Sequence, residues 1–389
     1  MNRSRQHITI RFHEIALKRG NRGFFIKKLM DNISKATKNL GVDAVYRDYL
    51  TVMLRLRDDT SWPALKERLA EVFGIAKFSL THTLPPSIES IEELLASELE
   101  KVSFETFRIT ARRVDKRFPF TSIQMNRRFG DAVRVKTGAK VQLTNPDLEI
   151  FIEVRPGKSL VYFEEFQGPG GLPVGTGGRV LSLMSGGIDS PVASWRMMKR
   201  GCDVTFAHFH SFPLVDGSSR EKAVELVELL TRFQFQSRLF LVPFADLQKE
   251  VILEVPPEYR VIVYRRFMLR IAEALAISEG AGALITGESL GQVGSQTLSN
   301  LATIHSVTTL PIFTPLIGMD KRDIIDTSQS IGTYPISIMP DQDCCSLFVP
   351  RHPATRSNTL ELERVESKLD VVGLVREAIE KVELRTFSS

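Results

Sequence analysis

Cysteine is scarce in this sequence, with three residues in 389. That is too few for a disulfide framework, and the default setting it implies is reducing and cytoplasmic. No C-x-x-C pair is present, which argues against a zinc site. Long hydrophobic runs are missing too. No apolar stretch approaches the ~18 residues of a membrane helix, and Met1-Asn2-Arg3-Ser4-Arg5-Gln6-His7 lacks the apolar centre of a signal peptide. No membrane partner is therefore expected. Repeats and low-complexity tracts are absent. What remains is the composition of an ordinary soluble globular protein, 43% hydrophobic and 25% charged. Its length suits two or three domains.

Breakers and periodicity divide the chain. The first 76 residues alternate short elements: a strand at His7–Lys18, a helix at Gly23–Asn39, and two strands around a turn within Ala44–Arg57. A helix at Trp62–Phe73 and a strand at Lys77–Leu84 complete a βαββαβ order, which is that of a ferredoxin-like α+β unit. A second α+β domain follows at 77–167, with helices at Ile88–Lys101 and Ser122–Lys136. The dense run of glycine and proline at 168–178 reads as a linker. From 179 to 389 apolar strands (Val180–Met184, Val204–Phe209, Leu239–Pro243, Ala283–Thr286) alternate with helices (191–200, 219–233, 258–279). That alternation predicts a doubly wound parallel sheet, with ligands at the strand ends where Met184, His208, Phe209 and Gly287 fall.

The sharpest local signal is Ser185-Gly186-Gly187-Ile188-Asp189-Ser190, placed between the first of those strands and a helix. Glycines let backbone N–H groups approach an anion, and the helix N-terminus adds partial positive charge. Ser190 is expected at the N-cap, with Pro191 in the first helical position. The loop is not a Walker A motif, which needs four residues between its glycines and a following Lys. Charge is also uneven. Residues 101–140 carry 11 Lys and Arg against 3 Asp and Glu, with Arg112, Arg113, Lys116, Arg117, Arg127 and Arg128 interleaved with Phe118 and Phe120. Basic clusters beside aromatics are the footprint of nucleic-acid binding.

The loop resembles the S-G-G-x-D-S pyrophosphate loop (PP-loop) of ATP pyrophosphatases. The chain as a whole resembles the ThiI-type tRNA 4-thiouridine synthetases. The resemblance is carried by Ile109–Pro119 and Val141–Asp147, which are similar to a THUMP domain, and by Thr286–Leu298 and Pro315–Lys321. It implies a ferredoxin-like domain, a THUMP domain that grips tRNA, and a C-terminal PP-loop domain like the adenine nucleotide alpha hydrolases. It also implies adenylation of the C4 oxygen of a tRNA uridine, usually at position eight, followed by its replacement with sulfur. ATP and Mg²⁺ are the expected cofactors. By position, the resemblance assigns the nucleotide to Leu183, Met184, Ser185, Gly186, Gly187, Asp189, Ser190, His208, Phe209, Arg265, Gly287 and Gln296. Asp189 is the candidate for Mg²⁺ or for loop positioning, and Met184 with Phe209 for holding the adenine.

Cys344 and Cys345 lie in the polar tract Asp341–Ser346 and are the candidate sulfur carriers; which of them acts stays open. Cys202 reads as core. No rhodanese domain follows, so sulfur is expected from a cysteine desulfurase or another carrier, and whether any role in thiamine biosynthesis persists is left open. A homodimer is an option, since one chain's THUMP and catalytic modules can lie too close together to share a tRNA. Two other readings stand beside this one. A small-molecule adenylating ligase has no need of the basic tract, and a non-catalytic RNA-binding protein has no need of an intact loop and a cysteine pair.

Overall fold

The computed structural model describes residues 5–341 and 354–389. The chain forms two compact units, Met1–Gly171 and Leu172–Ser389.

The N-terminal unit opens with β1 (Arg5–Arg11), α1 (Arg22–Ala36), β2 (Val42–Asp48), β3 (Thr51–Leu56), α2 (Trp62–Leu69) and β4 (Lys77–Leu84). Its strands pair antiparallel in the order β2-β3-β1-β4, a ferredoxin-like arrangement. The strand expected over His7–Lys18 stops at Arg11, and Glu14–Leu17 is a 3₁₀ turn. Ile15 drops into the core there while Leu17 stays 78% exposed. Apolar residues two apart, Ile15 and Leu17, have the spacing of a strand face in the sequence, so periodicity extends the strand too far, although the turn buries only one of them.

Next come α3 (Ile88–Glu98), β5 (Thr106–Arg113), α4 (Ser122–Thr137), β6 (Lys140–Val141), β7 (Leu148–Arg155), β8 (Lys158–Tyr162) and β9 (Phe166–Gln167). The Ser87 hydroxyl accepts from Ser90 N to cap α3. A full capping box of Thr121 and Gln124 starts α4, and Gly138 in the left-handed region ends it. Ile91, Leu95, Phe129 and Val133 on these helices cover Phe107, Ile150 and Ile152 of the sheet. β8 pairs with both β4 and β7, so one continuous sheet runs β2-β3-β1-β4-β8-β7-β5-β6, with β9 also on β4.

The C-terminal unit contains β10 (Arg179–Leu183), α5 (Asp189–Lys199), β11 (Asp203–His210), α6 (Ser218–Gln234), β12 (Gln236–Pro243), α7 (Ala245–Glu254), α8 (Arg260–Ser278), β13 (Leu284–Ile285), α9 (Leu298–His305) and β14 (Ile312–Phe313). It ends with α10 (Lys321–Ser330), α11 (Tyr334–Ser337), α12 (Thr359–Glu366), α13 (Val371–Glu380) and β15 (Glu383–Ser388). The sheet order is β14-β13-β10-β11-β12-β15, parallel except for β15 at the edge. α8 packs Val263, Tyr264, Phe267 and Ile271 onto Leu181, Ala207 and Val242 of the sheet. Removing a fully buried ring such as Phe267 would cost about 3–5 kcal/mol. Strand order reverses at β10, with β11 on one side and β13 on the other, so the loop after β10 sits at the switch point where such sheets bind ligands.

Candidate nucleotide site and RNA-binding face

The loop after β10 is closed by its own serines. Ser185 N donates to Ser190 Oγ at 2.9 Å, and Gly187 N donates to Ser185 Oγ at 3.3 Å. Ser190 is not the N-cap. α5 begins at Asp189, and Ile188 takes the cap position without a side-chain hydrogen bond. The Ser190 hydroxyl is folded back to the loop, so it is unavailable to cap the helix. Pro191 therefore sits two positions further in than expected, still among the first N–H positions that lack intrahelical partners.

A cavity of about 300 Å³ opens beside the loop. Leu183, Met184, Ser185, Asp189, Ser190, His208, Phe209, Arg265, Gly287 and Gln296 all line it. Gly186 and Gly187 are not among its lining residues. Gly287 is tied to glycine by contact, because a Cβ there would lie 2.8 Å from Ser190 N and 3.0 Å from Asp189 C. His208 is buried, and its Nδ1 donates to Met184 O at 2.9 Å. It is thus both a core histidine and a wall of the cavity. Phe209 is buried and meets Phe244 edge-on with ring centroids 5.5 Å apart.

Two ionic clusters form the polar wall. Glu288, missed in the sequence, accepts from Thr286 Oγ1 at 2.8 Å and from His305 Nε2 at 2.9 Å, and ion-pairs with Arg265. Burial pushes the Glu288 carboxyl up, but the His305 hydrogen bond and the Arg265 charge outweigh it and hold its pKa below the usual range. The Arg265 charge is therefore met within the protein. Asp189 accepts from Lys321 Nζ at 2.7 Å and from Gln292 Nε2 at 3.3 Å. Lys321 starts α10 and was also missed as a site residue. Behind this wall Arg266 binds both carboxylate oxygens of Glu366, at 2.8 and 2.9 Å, fastening α12 to α8.

Cys344 and Cys345 lie outside the described residues. Cys202 is buried, and burial raises its thiol pKa, as suits a core position. Among the described residues, no helix is long and apolar enough to cross a membrane.

In the N-terminal unit, the basic residues fall on β5, the turn after it and α4. Arg112, Lys116, Arg117, Arg127 and Arg128 are exposed and Arg113 is half-buried. Three of them already have partners. Arg113 Nη1 donates to Phe118 O at 3.3 Å, Arg117 pairs with Asp115 at 2.9 Å, and Arg128 pairs with Glu92 at 3.0 Å while lying 5.7 Å from the Phe120 ring centroid. Arg112, Lys116 and Arg127 complete the positive surface.

A parallel sheet with a glycine loop and an adjoining cavity at its switch point defines a PP-loop nucleotide-binding fold, which follows a ferredoxin-like and THUMP-like sheet in the chain. Residues 7–79 match the ThiI ferredoxin-like domain, 87–164 the THUMP domain, and 175–371 the family described as Thiamine biosynthesis protein (ThiI). The chain is 48% identical over 377 residues to a "Probable tRNA sulfurtransferase" of Thermus thermophilus, covering 97% of this chain and 93% of the relative. A protein of the same description from Moorella thermoacetica is 42% identical, with 97% of each chain covered. Among solved structures, a 4-thiouridine synthetase in complex with RNA and bound ATP superposes with a TM-score of 0.90. It is 37% identical, over 98% of this chain and 99% of that one. The chain belongs to the ThiI family of tRNA sulfurtransferases.

Proposed function

We propose that this chain converts a tRNA uridine, at position eight by resemblance, to 4-thiouridine in two half-reactions at the cavity beside residues 185–190. In the first, the uracil C4 oxygen attacks the α-phosphorus of ATP, the bond to the β-phosphate breaks and pyrophosphate leaves. In the second, a sulfur nucleophile attacks C4, the C4–O bond breaks and AMP leaves; where that nucleophile is a cysteine persulfide, a second thiol then attacks the carrier sulfur, breaking the S–S bond, so that the thiouridine is released and the two thiols end as a disulfide. The observation that carries this reading is the glycine loop at the switch point, with Asp189, Arg265 and Gln296 on one cavity wall.

The chain's own groups suit these steps. The N-terminus of α5, at Asp189 and Ser190 on the cavity lining, would face charge that grows on the departing pyrophosphate, the kind of preorganised stabilisation worth ~10²–10³ in rate per donor. Lys321 adds a cation 2.7 Å from Asp189. Among the described residues no three metal-binding side chains gather into a cage. Mg²⁺ is commonly held by one or two carboxylates plus substrate phosphates, and Asp189, a carboxylate that lines the cavity, fits that donor set. When bound there, the ion would neutralise polyphosphate charge. Arg112, Arg113, Lys116, Arg117, Arg127 and Arg128 would hold the tRNA backbone. Cys344 or Cys345 would carry sulfur as a persulfide loaded by a cysteine desulfurase or another carrier, in a cytoplasmic setting. A homodimer, in which one chain presents the tRNA to the other, is part of this reading.

The test is 4-thiouridine formation on unmodified tRNA with ATP, Mg²⁺ and sulfide, for wild type, Cys344→Ser and Cys345→Ser. Wild type should form product. The carrier cysteine is the one whose variant keeps the sulfide reaction but fails when a desulfurase supplies sulfur. Absence of both product and AMP with every tRNA tried sinks the thiolation reading and favours a different adenylating enzyme.

A further inference from the structure

One side of the glycine loop is packed against an ion pair. Lys222, near the start of α6, is 5% exposed. Its Nζ donates to Met339 O at 2.6 Å and lies 3.4 Å from Asp341 Oδ2. Both partners touch the loop: a Cβ on Gly186 would meet Asp341 Oδ2 at 2.4 Å and the Lys222 stem at 3.1 Å. Ser337 of α11 also donates to Gly187 O at 3.3 Å. A carboxylate thus lies flush with the second residue of a loop whose shape suits an anion. The positions of α6 that follow, Ala223, Leu226, Val227 and Leu230, are buried and apolar. Packing alone would be served by an apolar residue at 222, and burying an ammonium costs desolvation that only its partners return.

We propose that Lys222 is a positioning residue for nucleotide binding: it keeps Asp341 paired beside Gly186, so that an incoming polyphosphate does not face an unpaired carboxylate. The inference rests on the reading of residues 185–190 as the ATP loop.

Calorimetric titration with ATP and with adenosine separates charge from shape, because adenosine has no phosphates. Lys222→Met keeps the stem volume and should weaken ATP about fivefold, the scale of one unit-charge interaction at about 4 Å in bulk water. Adenosine affinity should not change. Lys222→Met with Asp341→Asn should bring ATP affinity back to within about twofold of wild type. Asp341→Asn alone, which leaves Lys222 intact, should bind ATP at least as tightly as wild type, and this arm holds even if Lys222→Met fails to fold. Equal weakening of ATP and adenosine, no recovery in the double variant, or about fivefold weaker ATP with Asp341→Asn would each overturn the proposal. If wild type binds ATP and the variants do not differ, only this inference falls. If wild type binds no ATP, the assignment of the loop falls with it.

Discussion

Arg266, in the C-terminal unit, leaves 2% of its side chain exposed and grips Glu366 through two nitrogens, whereas Arg117, in the N-terminal unit, leaves 80% exposed while leaning on Asp115. The contrast extends to their neighbours. Around the nucleotide cavity, Glu288 is buried among Arg265, His305 and Thr286. On the THUMP face, Arg128 meets Glu92 with both side chains partly in water. Removing one member of a buried pair strands its partner without solvent, but an exposed pair is screened and worth little. Changes near the cavity should therefore act as switches, and changes on the basic face as graded adjustments.

The largest effect should come from a methyl group. Gly287→Ala places a Cβ 2.8 Å from Ser190 N, a backbone atom that can move only by shifting the loop. A displacement of about 1 Å in a reacting array commonly costs ~10² in rate. AMP release in the presence of tRNA should fall at least that far, while tRNA affinity, set in the other unit, stays within about twofold. Loss of tRNA binding to the same extent would show that the two units do not divide the work in this way.

Glu288→Gln should be next. Breaking a buried ion pair costs about 3–5 kcal/mol, and Gln keeps the size and part of the hydrogen bonding, so about 3 kcal/mol in urea unfolding at pH 7 is expected. The pH dependence gives the sign. The Glu288 pKa is lowered by folding, so its stabilisation is fully present above the unfolded carboxylate value of about 4.3 and fades as pH falls through the lower folded value. The gap between wild type and Glu288→Gln should be wide at pH 7 and narrow progressively on acidification below about pH 4. A gap that is constant with pH would mean that lost packing, not charge, is responsible.

The contrast also explains what the sequence made legible. Alternating strands and helices are local patterns, so the doubly wound parallel sheet and the strand-end residues Met184, His208 and Phe209 can be placed by spacing, while the PP-loop reading rests on the resemblance of residues 185–190. Lys321 and Asp189 are 132 residues apart, and nothing in either segment marks them as neighbours. Glu288 sits inside the run Thr286–Leu298, yet its pairing with Arg265 exists only once α8 has packed beside β13. β15 escaped because an edge strand with almost every side chain exposed carries no alternation to detect. Serine before proline at a helix start is the usual capping pattern, so the sequence alone places Ser190 at the cap. The structure instead uses its hydroxyl to close the loop, a nonlocal choice within only five residues.

The smallest effect should fall on the basic face, and there the form of the response matters more than its size. Arg112→Ala with Arg113→Ala removes two charges from β5 but only one recorded hydrogen bond, from Arg113 to Phe118 O. The fold should survive. Each lost phosphate contact lowers the dependence of log K on log salt by slightly less than one unit. A plot of tRNA affinity against salt should therefore become shallower by roughly one to two units, with weakening most evident at low salt. Asp189→Ala should do the opposite, leaving the salt plot unchanged while AMP formation is lost. If the arginine variant instead abolished AMP formation at saturating tRNA, or if Asp189→Ala flattened the salt plot, the basic face and the cavity would not be the separate devices that their charge environments describe.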